Sequence, residues 1–330
     1  MKKKFFLLFL LVILLFLSDL LLGSVMLPLE DVYKVLTGSH SNPIYKEIIL
    51  NYRLPKALTA ILAGSALSVS GVLMQTLFQN PLAGPDVLGI TSGASLGVAL
   101  LTLTTGFLPL WMTSGWGQIV AASFGAIVVM LFILFASIKI RNTVSLLIIG
   151  IMFGSFSGAL VSILQSFSHP DTLKLFITWT FGSLSSVGWE QLSSMTIVIS
   201  TGIILAFSLQ KGMNALLLGS NYASGLGISV RQTQILLIIC TSLLAGTSTA
   251  FTGPIAFIGI TMPHLARNFF RTSDHRIVLI ASILCGSSVL LACDILSQLP
   301  GAQGTLPINA VTALFGAPLI IWIITRNRTS

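Results

Sequence analysis

The 330-residue chain is 54% hydrophobic and only 8% charged, with a mean hydropathy of +0.97. That is too little charge to cover a soluble domain of this size, and no window is polar enough to form an extramembrane domain, so the bilayer is its solvent. The net charge of +8 does not point to nucleic acid, because the basic residues are scattered through short gaps between apolar runs. Phosphate tracking needs a continuous basic patch interleaved with aromatics.

In chain order, Lys2 to Lys4 precede an apolar run from Phe5 to Leu22. This resembles a signal peptide, but the run is too long for an h-region and ends without an Ala-x-Ala site, so it reads as a retained first helix. A spanning helix needs about 20 apolar residues. Further runs at Ala57–Phe78, Val87–Thr105, Gln118–Ile138, Val144–Phe167, Leu192–Leu209, Gln232–Phe251, Ile255–Phe269, Ile277–Leu296 and Leu306–Ile324 bring the expected number of spans to ten. The eighth is short and follows Gly253-Pro254, which suggests a partial crossing.

Three connections exceed what a turn requires. Gly23 to Tyr52 holds an amphipathic stretch at Leu29, Val32, Tyr33 and Leu36, and Ser168 to Gln191 carries Trp179, Phe181 and Trp189, as an interfacial helix would. The loop from Gln210 to Arg231 is too apolar for a solvated linker and too broken by glycine for a span. Small apolar helices presented at a surface need something to dock against.

With the N-terminus in the cytoplasm, alternation puts Lys2, Lys3, Lys4, Lys139, Arg141, Lys211, Arg231, Arg267, Arg271, Arg276, Arg326 and Arg328 inside. Only Lys34, Lys46, Arg53, Lys56 and Lys174 fall outside, which satisfies the positive-inside rule with both termini cytoplasmic. Ala63-Gly64 precedes Gly71 with the spacing by which Ala245-Gly246 precedes Gly253, on runs of opposite direction. An inverted-topology repeat produces this pattern, and so does chance similarity between small-residue helices.

Small residues recur every four positions at Ala60/Gly64/Ser68, Gly89/Gly93/Gly97 and Gly150/Gly154/Gly158. Such stripes serve close helix packing or line a passage of low relief. Asp19, Asp86 and Asp294 lie near span ends, and no ionisable residue occupies a span centre, where an ion-coupled carrier would hold its driving ion. Gln75 and Gln165 read as interhelical hydrogen bonders. Neither a GxxxxGK[ST] phosphate loop nor a GxGxxG turn or HExxH pair is present. Cys240, Cys285 and Cys293 lack metal or disulfide spacing and read as packing residues. His40, His169, His264 and His275 are too dispersed for a metal centre, and His264 reads as a helix-end hydrogen bonder. No cofactor is therefore expected on the chain itself, and no catalytic set for an enzyme can be assembled; energy for uphill transport has to enter through a partner.

Arg53-Leu54-Pro55-Lys56, QNPLAGPDVLGITSGASLG (Gln79–Gly97), TGPIAFIGITMPHLAR (Thr252–Arg267), Thr272-Ser273-Asp274-His275-Arg276 and LPINAVTALFGAPLIIW (Leu306–Trp322) occur in this order. Together they resemble the permease family of type II ABC importers for iron-siderophore complexes, haem and cobalamin. The likeness runs from about Arg53 to the C-terminus; residues 1–52, the first helix and outer loop, match only in kind. The implied fold is one all-α polytopic permease domain over residues 1–330, with ten spans and an inverted repeat.

The resemblance implies a homodimer with the passage on its axis, two cytoplasmic ATPase subunits that use ATP-Mg, and an extracytoplasmic solute-binding protein. It assigns ATPase coupling to Leu218, Gly219, Ala223, Leu226 and Gly227 within residues 210–231. It also assigns the cytoplasmic gates to Asn80, Thr143 and Val144, and the passage lining to Gly150, Gly154 and Gly158. Arg53 and Lys56 correspond to basic residues that meet acidic side chains of the binding protein, while Gln298 stands where relatives often carry a further arginine. The expected cargo is an iron chelate, siderophore or haem. The alternatives are a corrinoid and, from another class, a carrier driven by an ion gradient.

Overall fold

In the computed structural model of the protein, residues 1–23, 27–38, 42–104, 115–140, 142–298 and 305–326 are described. His40, Arg141 and Arg328, named above, lie outside them. The described residues form helices joined by turns, with no strand among them. In chain order the α-helices are α1 (Lys2–Leu21), α2 (Leu29–Leu36), α3 (Pro43–Glu47), α4 (Leu54–Leu77), α5 (Ile90–Leu103), α6 (Gly115–Lys139), α7 (Thr143–Ser166) and α8 (Pro170–Thr180). They continue with α9 (Trp189–Ser208), α10 (Gln210–Leu216), α11 (Ser220–Gly225), α12 (Val230–Thr252), α13 (Ile258–Phe270), α14 (His275–Ser297) and α15 (Ile308–Arg326).

Each of the ten expected spans is a helix. Seven stretches among the described residues are long and apolar enough to cross a membrane: α1, α3–α4 taken together, α6, α7, α9, α12 and α14. The eighth expected span is short, as its sequence suggested. Gly253 (φ +71°) and Phe257 (φ +67°) turn the backbone left-handed on either side of Pro254, and α13 begins only at Ile258. The three longer connections also fold. Their helices are α2, which buries Val32 and Val35 and exposes Leu29 and Tyr33, then α8, which seats Phe176, and the pair α10–α11.

A π-helical turn at Ile48–Arg53 leads directly into α4. Pro55, in the first turn of α4, has no N–H to donate, and its ring crowds the carbonyl four residues back. The wider π turn accommodates both effects. α4 is the axis of the bundle and is buried along nearly its whole length.

Backbones touch where side chains are absent. A Cβ on Gly64 would strike the backbone of Gly286 in α14, and one on Gly71 would strike the Gly259 carbonyl oxygen in α13. The Gly93 and Gly97 stripe packs against Gly125 and Ala121 of α6 in the same way. Two of the three small-residue stripes are thus packing surfaces.

The repeat suggested by spacing has a structural counterpart. α4 packs on α14, and its counterpart α12 packs on α6, each from the opposite half of the chain. Gly64 faces Gly286, and Gly246, its equivalent, faces Ala126. In each half the small-residue helix therefore packs against a helix of the other half. All three cysteines are free and buried, and Cys240 Sγ donates to the Gly202 carbonyl at 3.1 Å.

Candidate functional site

One end of the bundle carries the 210–227 loop. α10 rests on Met213, Ala215 and Leu216, which are buried, while Leu217, Leu218, Tyr222 and Leu226 are exposed. Gly219 (φ +100°) and Gly227 (φ +78°) hold the left-handed turns before and after α11. Of the residues assigned to coupling, Leu218 and Leu226 thus project outward, Ala223 is the buried residue of α11, and the glycines shape the loop. The result is a small apolar knuckle, a shape that a lone solvated loop has no reason to adopt.

Beside the knuckle, the last turn of α4 gathers the polar side chains of its neighbours. Gln75 Nε2 donates to the Ile260 carbonyl at 3.1 Å, and its Oε1 accepts from Arg267. Gln79 Nε2 donates to the Leu216 carbonyl of α10 at 3.1 Å, and Thr76 meets His275. His264 lies midway along α13 rather than at a helix end, and its Nε2 bonds the Pro81 carbonyl at 2.7 Å. Asn80 Oδ1 accepts from Leu82 N–H at 2.9 Å and shapes the turn that follows. Thr143 lines a crevice with Leu77, Leu146 and Arg231, whereas Val144 projects outward and its N–H is capped by Asn142 Oδ1 at 2.9 Å.

Along α7 the glycine stripe divides. Gly150 is packed against Val87 and Leu88, Gly154 lies beside Ser92, and a Cβ on Gly158 would meet nothing within 4 Å. Ile148, Ile151, Met152 and Phe156 are exposed on the same helix, so α7 presents an unoccupied apolar face.

The opposite end holds a charge cluster between α1, α4 and α14. Lys56 Nζ lies 3.2 Å from Asp19 Oδ1 and 2.7 Å from Asp294 Oδ2. Gln298 Nε2 approaches the Asp294 oxygens at 3.4 and 3.3 Å. Arg53 Nη1 donates to the Leu20 and Leu21 carbonyls at 2.8 and 2.9 Å, satisfying last-turn acceptors of α1. Arg53 and Lys56, assigned from sequence to an external partner, are only 6% and 4% exposed. Within the chain their charges are met by Asp19, Asp294 and a helix terminus, so neither is presented at the surface. The sequence placed both aspartates at span ends without pairing them; their common depth with Lys56 was the usable signal.

A helical bundle of membrane-spanning length, with its buried charges compensated in one cluster and an exposed apolar knuckle at one end, is the architecture of a polytopic transport permease. Residues 10–326 match the FecCD transport family, and the chain belongs to it. It is 37% identical over 281 residues to the vitamin B12 import system permease protein BtuC of Klebsiella pneumoniae, covering 85% of this chain and 83% of that one. It is 36% identical over 297 residues to the hemin transport system permease protein HmuU of Yersinia pestis, covering 90% of this chain and 88% of that one. A solved inward-facing conformation of a metal-chelate type ABC transporter superposes with a TM-score of 0.88 at 28% identity, covering 99% of this chain and all of that one. The chain is thus a multi-pass ABC importer permease with the type II fold, and its relatives are permease subunits rather than enzymes.

Proposed function

We propose that this chain is the transmembrane subunit of an ATP-driven importer that passes a chelated iron compound, a siderophore complex or haem, across the cytoplasmic membrane by alternating access. The observation that carries the reading is membership of the FecCD family across nearly the full chain, joined to an exposed apolar knuckle where an energy-supplying partner can seat. Two copies form the passage between them. The half-empty face of α7, with Gly154 and Gly158, lines it, and the turns at Asn80, Thr143 and Val144 close its cytoplasmic end. Leu218 and Leu226 seat in the ATPase, with Gly219, Ala223 and Gly227 holding their frame. Both termini are cytoplasmic. The solute-binding protein docks at the opposite end, where Arg53 and Lys56 act from below by holding the ends of α1, α4 and α14 in one plane.

A corrinoid cargo is the second reading. It is favoured by the likeness to BtuC, whose identity to this chain equals that of HmuU within one percentage point. Both readings take a bulky solute that arrives already chelated and needs no tight charged site within the spans. The deciding experiment reconstitutes the chain with its ATPase and binding protein in proteoliposomes and offers haemin, a ferric hydroxamate and cyanocobalamin. ATP-dependent uptake of haemin or the ferric hydroxamate supports the iron reading, and uptake of cyanocobalamin alone overturns it. Uptake driven by a proton or sodium gradient without ATPase would refute the importer itself.

A further inference from the structure

His275, the first residue of α14, is fully buried and serves neither a metal nor the charge cluster. Its backbone N–H and its Nδ1 both approach Asn214 Oδ1, at 2.9 and 2.7 Å. Asn214 Nδ2 donates to Asp274 Oδ1 at 2.9 Å, which fixes the amide so that its oxygen faces the imidazole. An amide oxygen only accepts, so His275 Nδ1 carries the proton. On the far side of the ring, Nε2 lies 2.7 Å from Thr76 Oγ1 in the last turn of α4. The Thr76 hydroxyl has one proton and two acceptors in reach, that ring nitrogen and the Val72 carbonyl at 2.8 Å.

Asn214 belongs to α10, which carries the knuckle on its outer side. Asn214, His275 and Thr76 therefore form one continuous line from the loop, through the N-terminus of α14, to the end of α4. Gln79, bonded to the Leu216 carbonyl, provides a parallel tie three residues on. Immediately beyond lies the Asn80–Leu82 turn, itself held to α13 through Pro81 and His264. A displacement of α10 cannot leave α4 and α14 behind without breaking partly buried hydrogen bonds, and the fully buried His275 ring left unpaired is costly.

We propose that Asn214, His275 and Thr76 are positioning residues that transmit movement of the 210–227 loop to the turn at Asn80–Leu82. The relay rests on the reading that this loop seats in the ATPase. Its geometry suits rigid transmission. Both links are short, His275 and Thr76 are buried, and the imidazole is a planar strut with a polar atom at each end.

The test uses the assembled importer with a nitroxide attached at Leu82→Cys, an exposed position in the turn. Saturating ATP should alter the nitroxide spectrum in the otherwise unaltered complex. Asn214→Ala and His275→Ala should shrink that change at least about fivefold, the lower end of coupling between sites, while the ATPase still co-purifies. Thr76→Val removes the hydroxyl at nearly constant volume and should act alike, whereas Thr76→Ser should restore the response. A spectral change that survives Asn214→Ala and Thr76→Val, or that ATP never produces, overturns the relay. Leu226→Asp separates the two readings: retention of the ATPase by that variant refutes the docking assignment, whatever the relay variants do.

Discussion

Lys56→Met removes the one ammonium between Asp19 and Asp294 while keeping most of the side chain's length. At about 3 Å and an effective dielectric near 20, each pair contributes roughly 5 kcal/mol of attraction, most of it offset by the desolvation of the charges. The net value of the cluster is therefore small. Removal of its centre is not, because two buried carboxylates are left facing each other. The expected loss is about 3–5 kcal/mol, the range for breaking a buried pair from one side. Reversible unfolding in mixed micelles of rising SDS content measures it. In an Asp19→Asn, Asp294→Asn background the same substitution should cost far less, since no stranded charge remains. A loss below about 1 kcal/mol, the scale of an exposed pair, would refute the internal role. So would an equal loss in both backgrounds. A variant of full stability but weakened affinity for the binding protein would instead restore Lys56 to the outer surface.

Gly64→Leu should prevent assembly of the bundle, because the first side-chain atom already falls on the backbone of Gly286; yield of monodisperse protein in detergent checks this. Gly158→Trp should assemble normally, since its Cβ meets open space, yet reduce uptake at least about tenfold by filling the passage. Gly154→Trp should block equally but with some loss of stability, as Ser92 has to move; normal uptake by both would remove α7 from the lining. Leu218→Asp should weaken ATPase association by about 1–3 kcal/mol, read as loss of co-purification, because its exposed side chain is the kind of apolar anchor an interface core desolvates. The amide of Asn214 and the backbone N–H of Arg276 hold the Asp274 carboxyl below the usual carboxylate range. A depressed folded-state value means that its contribution is present above the unfolded value and fades as pH falls through the folded one. The tie to α10 should thus persist down to about pH 4, and amide exchange in α10 should be unchanged between about pH 5 and 8 once corrected for intrinsic rates.

The membrane helices were legible because bilayer thickness imposes a run length that composition alone reveals. The short helices were legible as departures from what a loop needs, most clearly at Gln210–Arg231. Gly253-Pro254 announced the truncated α13, and Gln75 took up interhelical hydrogen bonds of the kind expected. Less legible was anything requiring two distant segments to meet. Asp19, Lys56 and Asp294 come from three helices; their span-end positions hint at a shared depth, but no local pattern states which side of each helix faces the others. Arg53 and Lys56 look like snorkelling or docking residues from their neighbours alone; the carboxylates that engage Lys56 are far away in the chain. His275 was passed over in favour of His264 for a similar reason: its role depends on Asn214 and Thr76, each unremarkable in its own segment. The α7 stripe shows a further limit, since identical glycines at identical spacing serve packing at Gly150 and open space at Gly158.

The seclusion of α4 has a consequence for how the protein experiences its surroundings. The α3–α4 segment is 83% buried along its most apolar window, whereas α1 and α7 are each only 17% buried. Hydrocarbon chains therefore press on the periphery and scarcely reach the central strut. A thicker or stiffer membrane, which tilts helices by mismatch, would act first on α1, since the open face of α7 is turned to the passage. The axial helix would feel such a change at second hand, through the ties of Lys56 and Arg53 to α1 and through the backbones of Gly259 and Gly286 that lie against it.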